Sequence, residues 1–181
     1  IRTRGHRLEG VWHAGSPMGG IINLVRGMIV CVPRNMLKAA GFYNTLLKSD
    51  DPALVIECLN GYRIKENEPS NYGDFTTPIG VPEVVKTGDD VTVVSYGSTF
   101  NLCEQASEIL DEMNVSCELI DVQTLLPFDI NHMMVNSLKK TNRIIFIDED
   151  VPGGATSFML NEVINKQKGY YHLDSQPVSY T

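Results

Sequence analysis

The sequence predicts an α/β protein in two parts, the second a three-layer sandwich around a mostly parallel sheet. Val91–Gly97 is a run of β-branched residues that ends in a glycine turn, and a helix-patterned segment follows at once. Two further units of the same kind come after it, with apolar runs at 116–122 and 143–148. Helices set between β-rich runs imply parallel strands, and such sheets gather ligand-facing residues at the carboxyl ends of their strands. Here those ends are 96–98, 121–124 and 148–154.

In chain order, Gly10–His13 reads as a short strand running into the turn at 14–17, and 20–26 as a short helix. Met28–Val32 is a strand closed by Pro33, and Asn35 is placed to cap a helix that runs to about Lys48. That helix is expected to bury Leu37, Ala40, Leu46 and Leu47. Asp50-Asp51-Pro52 breaks it before a buried strand at Ala53–Cys58. From 60 to 90 proline and glycine punctuate a stretch without periodicity, too long for an ordinary loop, so it reads as a crossing between domains. After strand 91–96, Ser98 or Thr99 caps a helix with Leu102, Cys103, Ala106, Ile109, Leu110 and Met113 on one face. Asn114 suits a left-handed cap. Pro127 and Asp129 open a helix ending on Lys139-Lys140, which complements its dipole. Gly153-Gly154 opens a last helix, and Pro177 marks the final strand as an edge.

Composition narrows the function. A formal charge of −7 argues against a general nucleic-acid binder, although Arg2, Arg4 and Arg7 supply three of the 15 basic residues. No apolar run approaches the ~20 residues that cross a bilayer, so no membrane partner is expected. No targeting core is visible at the start, and the chain reads as an internal piece of a longer polypeptide. Cys31, Cys58, Cys103 and Cys117 lie far apart on apolar runs or faces, the pattern of buried free thiols in a reducing compartment.

His13 is the strongest candidate for chemistry. It ends a strand just before a turn rich in Gly and Pro, where a rigid element can hold an imidazole at a cleft. Position alone leaves open a histidine satisfied by a local backbone bond; that bland reading is favoured more strongly for His6, His132 and His172. The triplet Asp148-Glu149-Asp150 leads into Gly153-Gly154 at a strand end. Glycines before a helix can cradle phosphate, but three adjacent carboxylates repel it, and the spacing is neither a dinucleotide nor a Walker fingerprint. Such carboxylates could hold Mg²⁺, cap the next helix or meet a partner's arginines.

Several stretches in order resemble one family. They are Val30–Asn35, Ala39–Gly41 and Asp51–Glu57, then Asp90–Ser98, Ile120–Asp129, Lys140–Arg143, Ile147–Glu149 and Leu173–Pro177. Together they are similar to the β subunit, or β half, of the thiamine-diphosphate-dependent 2-oxo acid dehydrogenase E1 component, of the transketolase superfamily. The resemblance implies that residues 1–66 are the latter part of a pyrimidine-binding domain, 67–89 an interdomain crossing, and 90–181 a transketolase C-terminal-like domain. It implies oxidative decarboxylation of a 2-oxo acid and acyl transfer to lipoyl-bearing E2, with an E1α subunit or α half and a second β chain as partners. A cytoplasmic location, or the mitochondrial matrix in a eukaryote, goes with it.

The resemblance also assigns residues. His13 matches the active-site histidine, although Ala14-Gly15-Ser16 follows it where the family has Ser-Gln. Backbone groups near Leu46, Ser49 and Asp51 match a potassium-binding turn. The glutamate that activates thiamine diphosphate is expected upstream of Ile1, and the diphosphate and Mg²⁺ site in the α portion. The isolated chain is therefore expected neither to bind the cofactor tightly nor to turn over. A non-catalytic assembly module, or another thiamine enzyme of the superfamily, is the alternative.

Overall fold

The computed structural model describes residues 2–3, 10, 15–68 and 71–181, the first two as backbone. Gly10 is a bend, and the rest of the strand expected at Gly10–His13, with the candidate His13, lies outside the described residues. The elements are β1 (Arg2–Thr3), α1 (Met18–Leu24), β2 (Ile29–Cys31), α2 (Met36–Leu46), β3 (Ala53–Val55) and β4 (Glu57–Cys58). After a 3₁₀ turn at Leu59–Arg63 come β5 (Glu83–Lys86), β6 (Val91–Ser95), α3 (Ser98–Glu112), β7 (Cys117–Asp121) and β8 (Thr124–Leu126). Then follow α4 (Met133–Thr141), β9 (Ile144–Ile147), α5 (Ala155–Leu160) and β10 (Val178–Tyr180). No helix among the described residues is long and apolar enough to cross a membrane.

The larger sheet has the order β10-β9-β6-β7-β5, parallel throughout except for β5, which runs antiparallel along β7. Its central strands are covered on both faces, which is why β6 reads as a continuous β-branched run rather than an alternating one. The pleat then sends neighbours to opposite layers. Val93 and Leu119 pack with Phe100 and Cys103 of α3, while Val94 and Ile120 pack with Met134 and Leu138 of α4 and Met159 of α5. The three-layer α/β/α expectation holds.

A second sheet has the order β3-β2-β8. β2 and β3 are parallel, as expected, and β8 joins from the other half of the chain, antiparallel to β2, with Val30 opposite Leu126. Met18, Ile22, Val30, Val32 and Ile56 share one buried cluster with Val94, Tyr96, Ile120 and Phe146, so a single core spans both halves.

Several local expectations change. β5 lies inside the stretch read as a crossing, and β8 falls between the strand expected at 116–122 and the helix expected from Pro127; both are too short and too near proline or glycine to show a period. Asn35 caps α2 as predicted, its side chain accepting the Lys38 N–H at 2.9 Å. The residues α2 buries, however, are Ala39, Gly41 and Phe42, and Leu47 lies out in solvent. Gly97, at φ +59°, is the N-cap of α3 in place of Ser98 or Thr99. Asp129 caps α4 from a distance, accepting the N–H groups of Met133 and Met134 at 2.8 and 3.1 Å, so the helix begins later than Pro127 suggests. Asn114 is left-handed as expected, and all four cysteines are free and buried.

Gly88 fixes how the turn into β6 meets β7. A Cβ there would stand 2.2 Å from the Cys117 carbonyl carbon and 2.5 Å from the Glu118 nitrogen, both backbone atoms that cannot step aside. Gly88→Ala is expected to cost about 3 kcal/mol, the upper range for overpacking. Thermal unfolding checks it, and a melting temperature unchanged by the methyl would contradict the packing.

Candidate functional site

The carboxyl ends of β6, β7 and β9 converge with residues of the first half, as the sheet rule requires. Arg34, just beyond β2, is the centre of this convergence. Its Nη1 donates to Asp121 Oδ2 at 2.6 Å and to Glu83 Oε2 at 2.5 Å, and the guanidinium stacks on Phe100 with 5.5 Å to the ring centroid. Lys38 adds a second cation to Glu83 at 2.9 Å. Asp121 is wholly buried, and burial pushes its carboxyl up to about 6 against the pull of Arg34. Glu83 is half-exposed; burial acts on it the same way, but Arg34 and Lys38 outweigh that and hold it below the ordinary carboxylate range.

The acidic triplet separates into three roles. Asp148 accepts the buried Tyr96 hydroxyl and its neighbour's N–H, from Glu149, at 2.8 Å. Glu149 accepts the Ser98 hydroxyl at 3.2 Å. Asp150 accepts the Gly19 N–H at 2.9 Å, so it caps α1 across the two halves rather than the helix that follows it. Glycine at 19 and 154 makes that approach possible: a Cβ at Gly19 would lie 2.9 Å from the Gly154 Cα, and one at Gly154 would lie 2.5 Å from the Asp150 carboxylate. Among the described residues no group of three or more His, Cys, Asp or Glu side chains is placed to hold a metal.

Beside this network lies a cleft of about 210 Å³ lined by Arg34, Cys58, Asn60, Ser98 and Glu149, where the Ser98 N–H points at the Cys58 sulfur at 3.0 Å. The larger groove, about 740 Å³, is at the opposite end of α1, between Arg26, Asp51, Phe128 and Lys166. It is the bigger space, but the strand-end cleft is where the charged groups meet. Sequence reasoning found the triplet and the strand ends and missed Arg34 and Cys58. The Arg34 signal was present in an arginine directly after an apolar strand, a place where the chain turns back over the sheet.

Leu46, Ser49 and Asp51, which the resemblance matches to a potassium-binding turn, are exposed or half-exposed at the end of α2. The Leu46 carbonyl accepts the Ser49 N–H at 3.0 Å, the Ser49 hydroxyl accepts the Asp51 N–H at 3.1 Å, and the Asp51 carboxylate stands 3.5 Å from that hydroxyl. Carbonyl, hydroxyl and carboxylate oxygens thus gather in one turn.

Residues 80–181 match the family described as transketolase, C-terminal domain. The chain belongs to the transketolase C-terminal domain family. Its relatives bear out the narrower resemblance. It is 29% identical over 178 residues to the pyruvate dehydrogenase E1 component subunit beta of Acholeplasma laidlawii, covering 98% of this chain and 53% of that protein. It is 29% identical over 167 residues to the mitochondrial 2-oxoisovalerate dehydrogenase subunit beta of Dictyostelium discoideum, covering 92% and 44%. The acetoin:2,6-dichlorophenolindophenol oxidoreductase subunit beta of Bacillus subtilis is 32% identical over 156 residues, covering 86% and 44%. Among solved structures, a split-gene transketolase described as an inactive beta4 tetramer superposes with a TM-score of 0.74 at 21% identity, over 93% of this chain and 52% of that one. The transketolase-type chain thus spans about half the length of the curated relatives it matches.

Proposed function

We propose that this chain is the E1β-like part of a 2-oxo acid dehydrogenase complex, contributing to thiamine-diphosphate-dependent decarboxylation of a 2-oxo acid and acyl transfer to lipoyl-bearing E2. The observation that carries the reading is similarity over 98% of the chain to a pyruvate dehydrogenase E1 subunit beta. Residues 1–66 serve as the end of the pyrimidine-binding domain, 67–89 as the crossing, and 90–181 as the assembly domain. E1α and a second β chain complete the enzyme, in the cytoplasm or the mitochondrial matrix.

The described strand-end residues do not fit the cofactor's diphosphate. Asp148, Glu149 and Asp150 line that end with negative charge and are committed to Tyr96, Ser98 and Gly19. That charge supports assigning the diphosphate and Mg²⁺ to the α portion. The reading gives His13 one of two roles in acyl transfer, protonating the lipoyl sulfur or steadying the intermediate. The turn at Leu46, Ser49 and Asp51 has the oxygen donors a K⁺ ion takes, and binding there would stiffen the end of α2.

Reconstitution tests the reading. The full-length protein, combined with a matched α subunit, thiamine diphosphate and Mg²⁺, is expected to acylate a lipoyl domain from pyruvate or a branched-chain 2-oxo acid. The chain of 181 residues alone is expected to show no micromolar cofactor binding by calorimetry. Failure of the complete mixture with every 2-oxo acid would leave the superfamily's other chemistries in its place.

A further inference from the structure

The segment after α5 departs from ordinary helix. Asn161–Lys166 form a π-helix, closed by the Gln167 N–H on the Glu162 carbonyl five residues back at 2.9 Å. This geometry is rare and is frequent at functional sites. In an α-helix, residues five apart lie about 140° round the axis from each other. Hydrogen bonds spanning five residues instead stack them on one face. Asn161 and Lys166 therefore both stand, with Glu162, on the wall of the groove of about 740 Å³.

That groove follows the seam between the two halves. Ile22, Arg26 and Ile29 line it from the first, and Leu126, Phe128 and Phe158 from the second. Its volume lies in the range of small-molecule sites, about 300–1,000 Å³. Phe128 and Phe158 are half-buried and meet edge to face, with 5.6 Å between ring centroids and 77° between planes. An edge-to-face pair leaves a ring face unstacked, and a flat apolar group laid on it gains an aromatic contact.

The rim has charges of both signs, and their pairing leaves one over. Lys166 and Glu162 form an ion pair with each other. The Asp51 carboxylate turns to its own loop, 3.5 Å from the Ser49 hydroxyl. Arg26 is exposed just past the end of α1 and makes no hydrogen bond or ion pair among the described residues. Its guanidinium is a planar fork that matches the two oxygens of a carboxylate. The unmet charge on the rim is thus positive, and it stands over an apolar, aromatic floor.

We propose that this groove is a small-molecule site for an aromatic carboxylate, with its carboxylate held by Arg26 and its ring laid on Phe128 and Phe158. The proposal goes beyond the dehydrogenase reading and stands without it. Because both halves supply the lining, a bound ligand favours their docked arrangement.

Calorimetry with 2-naphthoate tests it on the full-length protein. One molecule is expected to bind per chain with a Kd of about 1 mM, the affinity within reach of a ligand of this size. 2-Naphthamide has the same shape without the charge and is expected to bind about fivefold more weakly. 2-Naphthylmethylamine, of opposite charge, is expected to bind more weakly still. Arg26→Gln should lower naphthoate affinity about fivefold and leave that of the amide unchanged. Phe158→Leu should weaken both by about threefold or more. A thermal melt shows whether each variant is folded, and Arg26→Gln, at an exposed position, keeps the test decisive if Phe158→Leu is not. No saturation by about 10 mM naphthoate, tighter binding of the amine than of the naphthoate, or equal naphthoate affinity in the parent and Arg26→Gln would each overturn the proposal.

Discussion

Arg34→Met is expected to destabilise the protein by about 3–5 kcal/mol at pH 8, the cost of stranding a buried charge. Asp121 would remain wholly buried at the end of β7 with its cation gone, and Glu83 would keep only Lys38. The pH dependence has a definite sign. Burial raises the Asp121 carboxyl to about 6 even with Arg34 present, so the folded protein holds this proton more tightly than the unfolded chain. Asp121 therefore favours the fold most at low pH, and that contribution is lost as pH rises through about 6. Without Arg34 the carboxyl rises further and the loss widens. Glu83 works in the opposite sense: held low, it supports the fold above the ordinary carboxylate range and stops doing so as pH falls through its own value. Because Asp121 is the buried partner it dominates, and the deficit of the variant is expected to shrink by at least about 1 kcal/mol between pH 8 and pH 5. Urea unfolding at the two pH values measures this. A variant within about 0.5 kcal/mol of the parent at pH 8, or an equal deficit at both, would remove Arg34 from the centre of the network.

His13→Ala, placed in the full-length protein with its α subunit, is expected to lower lipoyl acylation by about 10²–10⁴-fold, the range for losing a positioned proton donor. The loss should fall on acyl transfer more than on substrate decarboxylation, which an artificial electron acceptor can follow separately. His13→Ala also separates the enzyme reading from the assembly reading. Unchanged acylation would make the first half a remnant and the second half the working part, as a dimerisation module.

Much of the fold was legible because its strongest signals are local. The β-branched run at Val91–Ser95, the repeated strand–helix units and the Asn35 cap each depend on a few neighbouring residues, and each appears where the sequence places it. The misses share a different physics. α3 carries apolar residues on two adjoining sectors, and periodicity alone cannot say which one meets the sheet; the protein chose Phe100 and Cys103 with Thr99 and Ser107, leaving Ile109 and Met113 outside. β5 and β8 exist because partners distant in sequence, β7 and β2, offer them an edge. The Arg34–Asp121 pair is likewise a long-range fact that no local window contains. The strand-end carboxylates were found by position, yet their partners Tyr96, Ser98 and Gly19 could be named only once the halves were docked.

The pairing of Val30 with Leu126 also bears on how the polypeptide acquires its shape. During synthesis, β2 leaves the ribosome long before the segment that closes its open side, and the intervening chain must be gathered first. Contacts of such long separation slow folding, because loop-closure entropy is lost before the pairing repays it. The early sheet therefore waits for the late one, and chaperone demand should peak in that interval.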